Sequence, residues 1–365
     1  MVTKPLGDII RVKSGDGIAV AHLHEYDKYP VYGGNGINGY TSEYNVDANT
    51  MIIGRVGEKC GNINISISKS WVSDNALIVT PKIAYDNEYL RYLLEQINLN
   101  DYANRNAQPV ISGKTIYKID VPYITDTVEQ YFIGQQLRAF DDHITNLTEL
   151  IEKKKGIRDG ALEDLVSGRA RLKDVDIVWE ETELGRIASY RKGRTLSQRK
   201  HYISTENMRQ EFAGITPYSG SYIVDGCEFS EGDTLMANIR PYLKKIWYAN
   251  FSGCCSADVL VVHCNEGIVP KYLYYLVAND RYINYVMNGG TKGTKMPRGD
   301  KKFIMHYPVM IPTDEKIQQT LSDMLTSMDD EIIALEEEKD KMLQIKVGAM
   351  DDLLTGRIRL TRQGG

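Results

Sequence analysis

The amino-acid sequence predicts an α+β protein: two mixed α/β domains joined by two long helices that form an antiparallel coiled coil, with a pseudo-twofold internal repeat. Two observations support this prediction. Residues 127–172 recur without a gap as residues 315–360, and 17 of the 46 aligned pairs are identical, where composition alone would supply roughly three. Apolar residues in both copies also keep a 4-3-4-3 spacing, which is typical of helices that pack on one another. The order along the chain is therefore domain, helix, domain, helix.

An apolar stripe runs along each predicted helix. It consists of Ile133, Leu137, Phe140, Ile144, Leu147 and Ile151 in the first copy, and of Leu321, Leu325, Met328, Ile332 and Leu335 in the second, where Lys339 interrupts it and Met342 resumes it. Because the copies match, each stripe is predicted to pack against the other; the alternative is that each packs on its own globular domain. Both copies end in Ser/Thr-Gly-Arg-x-Arg-Leu, where glycine closes a helix and cations suit its negative end.

The repeat divides the chain into four predicted segments: a globular domain over residues 1–123, a helical spacer over 124–179, a second globular domain over 180–311 and a second helical spacer over 312–365. Residues 1–123 carry 12 Lys or Arg against 13 Asp or Glu, whereas residues 180–311 carry 17 against 13. The helical segments carry the excess of acid. The net charge of −5 therefore permits a local basic face for nucleic acid but does not require one.

The first globular segment opens with Leu6-Gly7-Asp8-Ile9 and reaches a glycine-rich stretch over residues 31–40. This stretch lacks the Lys-Ser/Thr of a phosphate-binding loop, and we predict surface loops between strands. Strands are predicted over 50–55, 63–67 and 71–79, and a helix over 89–99. A polar loop over 104–114 then leads into an exit strand over 116–121.

The second globular segment repeats this plan loosely. Leu184-Gly185-Arg186-Ile187 echoes the opening tetrapeptide, residues 218–222 stand where the glycine-rich stretch stood, and residues 234–240 echo the strand over 50–55. A helix is predicted over 272–286 and a polar loop over 289–297. Because the helices resemble each other more than the domains do, we expect one task performed on two different targets.

Catalytic and metal-binding motifs do not appear in the sequence. It contains no P-loop, no H-E-x-x-H and no G-x-S-x-G, and its five cysteines show no C-x-x-C spacing, so no metal site is predicted. The number of cysteines is odd, which argues against a disulfide framework. The sequence also has neither a signal-peptide pattern nor a long apolar run, so we predict a cytoplasmic protein. Asp141-Asp142 recurs at Asp329-Asp330, but adjacent helical carboxylates diverge by about 100°. They suit the polar flank of a coil, or a partner's basic surface, better than acid–base catalysis.

The remaining candidates are side chains that contact DNA in other proteins, because Arg and Lys reach guanine or phosphate, Asn and Gln reach adenine, and aromatic rings stack. For any single one, the alternative is a solvated surface residue. In the first domain they are Lys13, Tyr32, Asn35, Arg55, Lys59, Arg105, Gln108 and Lys114. In the second they are Arg191, Lys192, Arg194, Arg199, Lys200, Tyr218, Arg240, Lys244, Lys245, Lys292, Lys295 and Arg298.

The layout resembles the specificity subunit of type I restriction–modification enzymes. The resemblance spans nearly the whole chain and combines the duplicated domain–helix order, the Leu-Gly-x-Ile openings, a Pro-containing exit into each helix and the closing Gly-Arg-x-Arg-Leu. It implies that each globular domain is a target-recognition domain that reads one half of a split DNA site. It also implies that the helices dock two methyltransferase subunits, and that a restriction subunit can join them. S-adenosylmethionine and ATP would then belong to those partners, and this chain would hold no cofactor and perform no catalysis.

Helix length suggests how such a protein measures DNA. A helix from Val128 to about Lys155 would be about 42 Å long, or roughly 12 base pairs of B-DNA at about 3.4 Å each. The helices would then set the gap between the two half-sites. The alternative function is a coiled-coil scaffold that binds proteins and no nucleic acid, and an apolar patch on the outer domain faces would favour it.

Overall fold

The computed structural model describes residues 1–289 and 297–360. Its α-helices are α1 Leu6–Ile9, α2 Asn87–Ile97, α3 Gly113–Ile116, α4 Thr127–Val166, α5 Leu184–Ile187, α6 Pro270–Val277, α7 Asp280–Gly289, α8 Lys301–Met305 and α9 Glu315–Leu354. Short 3-10 turns cover Val20–His22, Leu99–Tyr102, Arg199–His201 and Pro241–Leu243. Within the described ranges, no helix combines the length and apolar character needed to span a membrane.

The strands of the first half of the chain are β1 Val2–Pro5, β2 Ile10–Ser14, β3 Tyr29–Gly33, β4 Gly36–Thr41, β5 Met51–Gly54, β6 Ile63–Ile65, β7 Trp71–Val72, β8 Ala76–Pro81 and β9 Asp120–Tyr123. Those of the second half are β10 Trp179–Glu183, β11 Ala188–Tyr190, β12 Arg194–Gln198, β13 Tyr202–Ile203, β14 Ile223–Phe229, β15 Thr234–Ala237, β16 Ile246–Tyr248, β17 Gly253–Cys255, β18 Val259–Cys264 and β19 Pro308–Pro312.

The chain forms two compact units. Unit 1 contains Met1–Glu149 and the chain from Glu336 onward, and unit 2 contains Leu150–Leu335. Each unit therefore holds one globular domain, the first half of one long helix and the second half of the other. The structure groups the chain differently from the four predicted segments, because the boundary between units falls inside α4 and α9.

In unit 1 an antiparallel sheet of order β2-β8-β5-β6 carries the core. The strands of a smaller sheet, of order β4-β3-β7, alternate along the chain with those of the first. The outer strands β1 and β9 pair antiparallel, with Val2 opposite Tyr123, so the two ends of the globular domain meet. The helix α1 buries Leu6 and Ile9 completely, which explains why apolar residues open this domain.

Unit 2 repeats the larger sheet with the order β11-β18-β15-β16, and β10 pairs with β19 as β1 does with β9. Its second sheet has four strands in the order β12-β14-β17-β13. The helix α5 buries Leu184 and Ile187, so the echo between the two opening tetrapeptides is also an echo in structure.

Three local predictions were wrong. Residues 31–40 form the strands β3 and β4 rather than surface loops. The segment predicted as an exit strand from residue 116 starts as the end of α3, because the Ser112 hydroxyl accepts from the Thr115 amide and caps a helix. The helix predicted over 272–286 is broken at Asn279, whose side-chain amide donates to the carbonyls of Tyr275 and Leu276 and whose oxygen accepts from the Tyr282 amide.

The two long helices run antiparallel where they meet inside each unit. In unit 1, Glu129 of α4 pairs with Arg359, and Asp141 pairs with Lys346 of α9. In unit 2, Lys154 pairs with Glu331 and Arg158 with Asp329. As the residue number rises along α4 it falls along α9, which is the predicted direction of packing.

The apolar stripes pack on both candidate partners. In unit 1, Ile133 and Leu137 of α4 share one buried cluster with Leu353 and Leu354 of α9 and with the globular domain. In unit 2, Leu321 and Leu325 of α9 share a cluster with Leu162 and Leu165 of α4 and with that domain. The prediction gave the other helix and the globular domain as alternative partners of each stripe, whereas each stripe packs against both. The helix α4 also extends to Val166 rather than Lys155, so the 42 Å estimate was too short.

Candidate nucleic-acid interface

Three loops of unit 1 converge and form what we call the unit 1 loop cluster: residues 34–36, 55–61 and 104–111. Val56 and Val110 form a β-bridge, and the Gly57 amide donates to the Pro109 carbonyl at 2.9 Å. Gly34 touches the second loop so closely that a Cβ added there would lie 2.3 Å from the Val56 carbonyl oxygen. Glycine is required at this approach, which places the tip of the β3–β4 turn against the loop that follows β5.

The unit 1 loop cluster brings together five of the eight residues predicted for this domain. Asn35, Lys59, Arg105 and Gln108 are exposed and Arg55 is half-buried. The Arg55 guanidinium donates to the Ser14 hydroxyl at 3.3 Å, and that of Arg105 donates to the Asn100 side-chain carbonyl. These partners are neutral. Within the described residues, the three cations of the cluster form no ion pair with a carboxylate, so their charge is available to a ligand.

Two further predicted cations of unit 1, Lys13 and Lys114, are exposed beside the cluster. Lys13 lies on β2 next to Ser14, and Lys114 lies on α3, which is tied to β2 because the Val12 amide donates to the Tyr117 hydroxyl at 2.9 Å. The prediction for Tyr32 was wrong. Its side chain is 3% exposed within a buried cluster, and burial raises the pKa of its hydroxyl. The ring packs against Val46, Ile52 and Val72 in that cluster and is therefore part of the core.

Four of the cations predicted for unit 2 form ion pairs with carboxylates. The ion pairs are Arg191–Asp233, Arg194–Asp225 at 2.6 Å, Arg298–Asp258 at 3.0 Å, and Lys244 with Glu211 at 2.8 Å and Asp280 at 2.9 Å. The Arg191–Asp233 pair is the most enclosed of these, because Asp233 is 2% exposed and also accepts from the Ser230 amide. The basic run Arg191-Lys192-Gly193-Arg194 is thus partly neutralised within its own domain.

Arg240 and Lys244 bracket the short turn Pro241–Leu243 and both have left-handed backbones, with φ of 53° and 52°. Such a conformation disfavours residues other than glycine by about 1–2 kcal/mol. The Arg240 amide is fixed by the Pro297 carbonyl at 2.9 Å, and its side chain is exposed. Lys245 instead points inward and donates to the Thr205 carbonyl at 2.6 Å.

Arg199 differs from its paired neighbours because aromatic rings hold it. Its guanidinium carbon lies 3.6 Å from the centre of the Tyr218 ring and 4.8 Å from that of Tyr202. The exposed Lys192 and Lys200 lie in the same part of the chain. The predicted Lys292 and Lys295 lie outside the described residues.

Sequence reasoning missed the residues that form ion pairs with these cations or stack on them. Asp225 and Asp233 lie 31 and 42 residues from the arginines that they bind, and no local pattern joins them. Tyr202 follows Arg199 by three residues, so spacing alone could have identified that pair. Among the described residues, no group of three or more His, Cys, Asp or Glu side chains is placed to hold a metal.

Both copies of the domain–helix plan match one known protein family. The family described as "Type I restriction modification DNA specificity domain" matches residues 1–155 and 177–344, which is most of the chain in two copies. The chain belongs to this family. Both matched segments contain one of the globular domains with its opening tetrapeptide, so the internal repeat is a duplication of the family's domain.

Two similar proteins are named as specificity subunits of type I restriction enzymes. The type I restriction enzyme EcoprrI specificity subunit of Escherichia coli is 28% identical over 155 residues, which cover 41% of this chain and 38% of that protein. The putative type I restriction enzyme MjaX specificity subunit of Methanocaldococcus jannaschii is 24% identical over 310 residues, 78% of this chain and 72% of that protein. The first match thus spans well under half of the Escherichia coli subunit.

Solved structures show the same fold. The S subunit of a type I restriction–modification system from Mycoplasma genitalium superimposes with a TM-score of 0.69 at 17% identity, covering 97% of this chain and 96% of that chain. A chain from a study of type I restriction–modification complex assembly gives a TM-score of 0.55 at 12% identity, covering 98% of each. The specificity-domain fold therefore extends over the two domains and both long helices.

Proposed function

We propose that this chain is the DNA-specificity subunit of a type I restriction–modification complex, and that each unit reads one half of a bipartite DNA site. The observation that carries the proposal is the unit 1 loop cluster, where three loops of one specificity domain gather unpaired cations and amides. Cations supply sequence-independent contacts to phosphate, while amides and arginines on loops reach base edges. Because the loops of unit 2 differ in sequence and in ion pairing, the two halves of the site would differ in sequence.

The helices would dock two copies of one methyltransferase subunit. A duplicated docking site needs the same exposed residue in both copies of the repeat, and Ile157 and Ile345 meet this condition. Ile157 is 52% exposed and Ile345 is 43% exposed. Each has an exposed leucine on the same helix, Leu150 on α4 and Leu343 on α9. Exposed apolar side chains that form a patch mark contact surfaces for other proteins, and we assign these residues to such a patch in each copy. A restriction subunit would join through the same complex.

Catalysis and cofactors would belong to those partners. S-adenosylmethionine would bind the methyltransferase subunits and ATP the restriction subunit, while this chain holds no cofactor. The cysteines support a non-catalytic role, since burial raises the pKa of Cys255 to about 12 and also raises that of Cys60. A thiol with a raised pKa is a poor nucleophile at neutral pH.

The long helices would set the gap between the half-sites. Insertion of four residues into both α4 and α9 adds about one helical turn, or about 6 Å, to each. We expect the gap in the recognised DNA sequence to lengthen by about one or two base pairs, at about 3.4 Å per step, while both half-sequences stay the same. A change in the half-sequences with an unchanged gap would refute this role of the helices.

Binding of the complex to DNA tests the proposal as a whole. The chain assembled with its methyltransferase subunits should shift a duplex that carries the site, and its affinity should fall steeply as salt rises, because phosphate contacts release counterions. A complex that binds no duplex at low salt, while still capturing proteins through its domains, would favour the scaffold function instead. The exposed Leu196 and Ile223 on paired strands, 70% and 59% exposed, are the apolar surface that such a scaffold would use.

A further inference from the structure

We infer that Arg199 reads a guanine in the half-site recognised by unit 2, and that Tyr218 and Tyr202 position it to do so. This inference rests on the proposed function, because it assigns a base contact within the same DNA interface. Three observations single out this arginine among many surface cations: its aromatic support, the lack of an acidic partner for it among the described residues, and its place in the fold.

Arg199 is held by rings and by its own backbone. The guanidinium carbon lies 3.6 Å from the centre of the Tyr218 ring, 4.8 Å from that of Tyr202 and 6.0 Å from that of Tyr222. The Arg199 amide donates to the Tyr222 carbonyl at 2.9 Å. Stacking on aromatic rings restricts the plane of a guanidinium and leaves its N–H edge free.

The main supporting ring is itself anchored. The Tyr218 hydroxyl lies 2.7 Å from the Ser204 hydroxyl and donates to Glu206 at 3.3 Å. Tyr218 is therefore fixed at its far end while its face carries Arg199. Glu206 is engaged through the phenol, and no carboxylate among the described residues pairs with Arg199.

This arrangement contrasts with the other arginines of unit 2. Arg191, Arg194 and Arg298 each donate to an aspartate, so their N–H edges are already used. Of the two remaining arginines predicted to contact DNA in this unit, Arg240 has no comparable aromatic support among the described residues. Arg199 is thus the predicted contact that combines a fixed plane with a free hydrogen-bonding edge.

Arg199 lies at the end of an edge strand. It begins the short turn Arg199–His201 that follows β12, the outer strand of the sheet β12-β14-β17-β13. Tyr222 and Ile223, on the segment paired with this end of β12, are 62% and 59% exposed. Lys200, the next residue, is exposed as well. A planar fork flanked by exposed apolar groups and a cation suits entry into a groove of DNA.

A fixed guanidinium favours a base over a phosphate for a geometric reason. Guanine presents O6 and N7 as two acceptors in one plane in the major groove, and bidentate contact by arginine is the commonest specific contact to DNA. A phosphate accepts from many directions and needs no fixed plane, so a flexible lysine such as Lys200 serves it equally well. Because the rings already order the Arg199 side chain in the folded protein, DNA binding loses little side-chain entropy. Such a preorganised side chain suits a contact that discriminates between bases.

The test compares DNA sequences selected from a random duplex pool by the complex of this chain with its methyltransferase subunits. The wild-type complex should enrich a bipartite sequence. Arg199→Lys keeps the charge but removes the planar fork, and we expect the preference for guanine at one position of one half-site to fall by about 5- to 150-fold. Tyr218→Leu should relax the same position, while Tyr218→Phe, which keeps the ring, should retain the wild-type preference.

Lys200→Ala is the matched control, because it removes an adjacent exposed cation. It should weaken binding to all sequences uniformly and lower the salt dependence by about one counterion. If Arg199→Lys leaves the selected sequence unchanged, or if Arg199→Ala behaves as Lys200→Ala does, Arg199 is not a base-reading residue, and the proposed function stands without it. If the wild-type complex enriches no sequence, the proposed function fails and this inference fails with it.

Discussion

The predicted contact cations of the two units differ in how the protein itself uses them. Residues 1–123 are slightly acidic, yet Arg55, Lys59 and Arg105 of the unit 1 loop cluster have no carboxylate partner among the described residues. Residues 180–311 carry an excess of four positive charges, yet Asp225, Asp233 and three further carboxylates form ion pairs with predicted contacts there. Net charge along a segment is therefore a poor guide to a binding face, and the pairing of individual cations decides how much charge a ligand meets.

The helices show the opposite behaviour, because their contacts are copied closely between the units. In unit 1 the Tyr92 hydroxyl donates to Asp141 at 2.5 Å, and Lys346 donates to the other oxygen at 2.5 Å. In unit 2 the Tyr275 hydroxyl donates to Asp329 at 2.8 Å, where Arg158 takes the place of the lysine. The repeated aspartate joins the domain to both long helices, and duplication has preserved this junction while the loops diverged.

The largest effect is expected from the most enclosed ion pair of unit 2. Asp233→Asn should lower the free energy of unfolding by about 2–3 kcal/mol, because it leaves the partly buried Arg191 without a charged partner. Urea-induced unfolding measures this difference. Asp225→Asn, at an exposed pair, is the matched control and should change stability by less than about 1 kcal/mol. Equal losses for the two variants would show that Arg191 is no more structural than Arg194.

A buried glutamine in each unit provides a direct test of the copied junction. Gln130 accepts from the Asp86 amide at 2.8 Å and donates to the Ile124 carbonyl at 2.6 Å, and Gln318 makes the same pair of bonds to Val269 and Pro312. Gln130→Ala and Gln318→Ala should each lower the free energy of unfolding by about 1–3 kcal/mol, since buried backbone groups lose their partners.

The exposed Gln136→Ala on the same helix α4 serves as the control for Gln130→Ala and should have little effect on the urea midpoint. If Gln130→Ala is neutral while Gln318→Ala is strongly destabilising, the two junctions are not energetically equivalent. The duplication would then be preserved in sequence and geometry but not in stability.

The pH dependence of unit 1 follows from Asp141. Burial tends to raise the pKa of this carboxyl, but hydrogen bonds from Lys346 and Tyr92 and the charges of Lys346 and Arg91 hold the net pKa below its ordinary value. A depressed folded-state pKa contributes stability above the unfolded-state pKa of about 3.9 and loses it as pH falls through the folded-state pKa.

The wild-type protein should therefore be more stable than Asp141→Asn at pH 7, and this advantage should shrink as the pH is lowered below about 4. Urea unfolding of both proteins at several pH values measures the difference. An advantage that is unchanged at pH 3, or that grows, would show that the carboxylate does not gain stability from its cationic neighbours.

A smaller effect is expected from single cations at the DNA interface. Lys59→Ala in unit 1 should lower the salt dependence of DNA binding by about one counterion, so that a rise from about 50 to about 200 mM salt weakens the variant about fourfold less than the wild type. Arg194→Ala in unit 2 should change it less, since Asp225 already occupies that guanidinium. Titration of a labelled duplex at two or more salt concentrations compares them, and a larger effect of Arg194→Ala would reverse the comparison between the units.

Much of the fold was predictable because it repeats. The 17 identities between residues 127–172 and 315–360 located both long helices, and the Leu-Gly-x-Ile tetrapeptides located the first buried turn of each domain. Both glycines of the closing motif adopt left-handed backbones, with φ of 69° at Gly168 and 70° at Gly356, as expected for residues that end a helix.

The remaining features depend on contacts between residues distant in sequence. Tyr32 stands beside a glycine-rich turn, where the sequence suggests a surface tyrosine, and only the packing of β3 on the rest of unit 1 places it in the core. Asp233 gives no sign in the sequence that it binds Arg191. The break at Asn279 requires one side chain to satisfy backbone groups on both sides, which helical periodicity over 272–286 does not reveal. The unit 1 loop cluster likewise brings together three loops that are spread along the chain from residue 34 to residue 111.

The most direct test of the account is to map the DNA recognised by the complex when one unit alone is altered. Arg55→Lys in the unit 1 loop cluster, assembled with the methyltransferase subunits, should change the selected sequence in one half of a bipartite site and leave the other half and the gap as they are in the wild type. A single uninterrupted recognition sequence, or a change in both halves from this one substitution, would contradict the claim that each unit reads its own half-site.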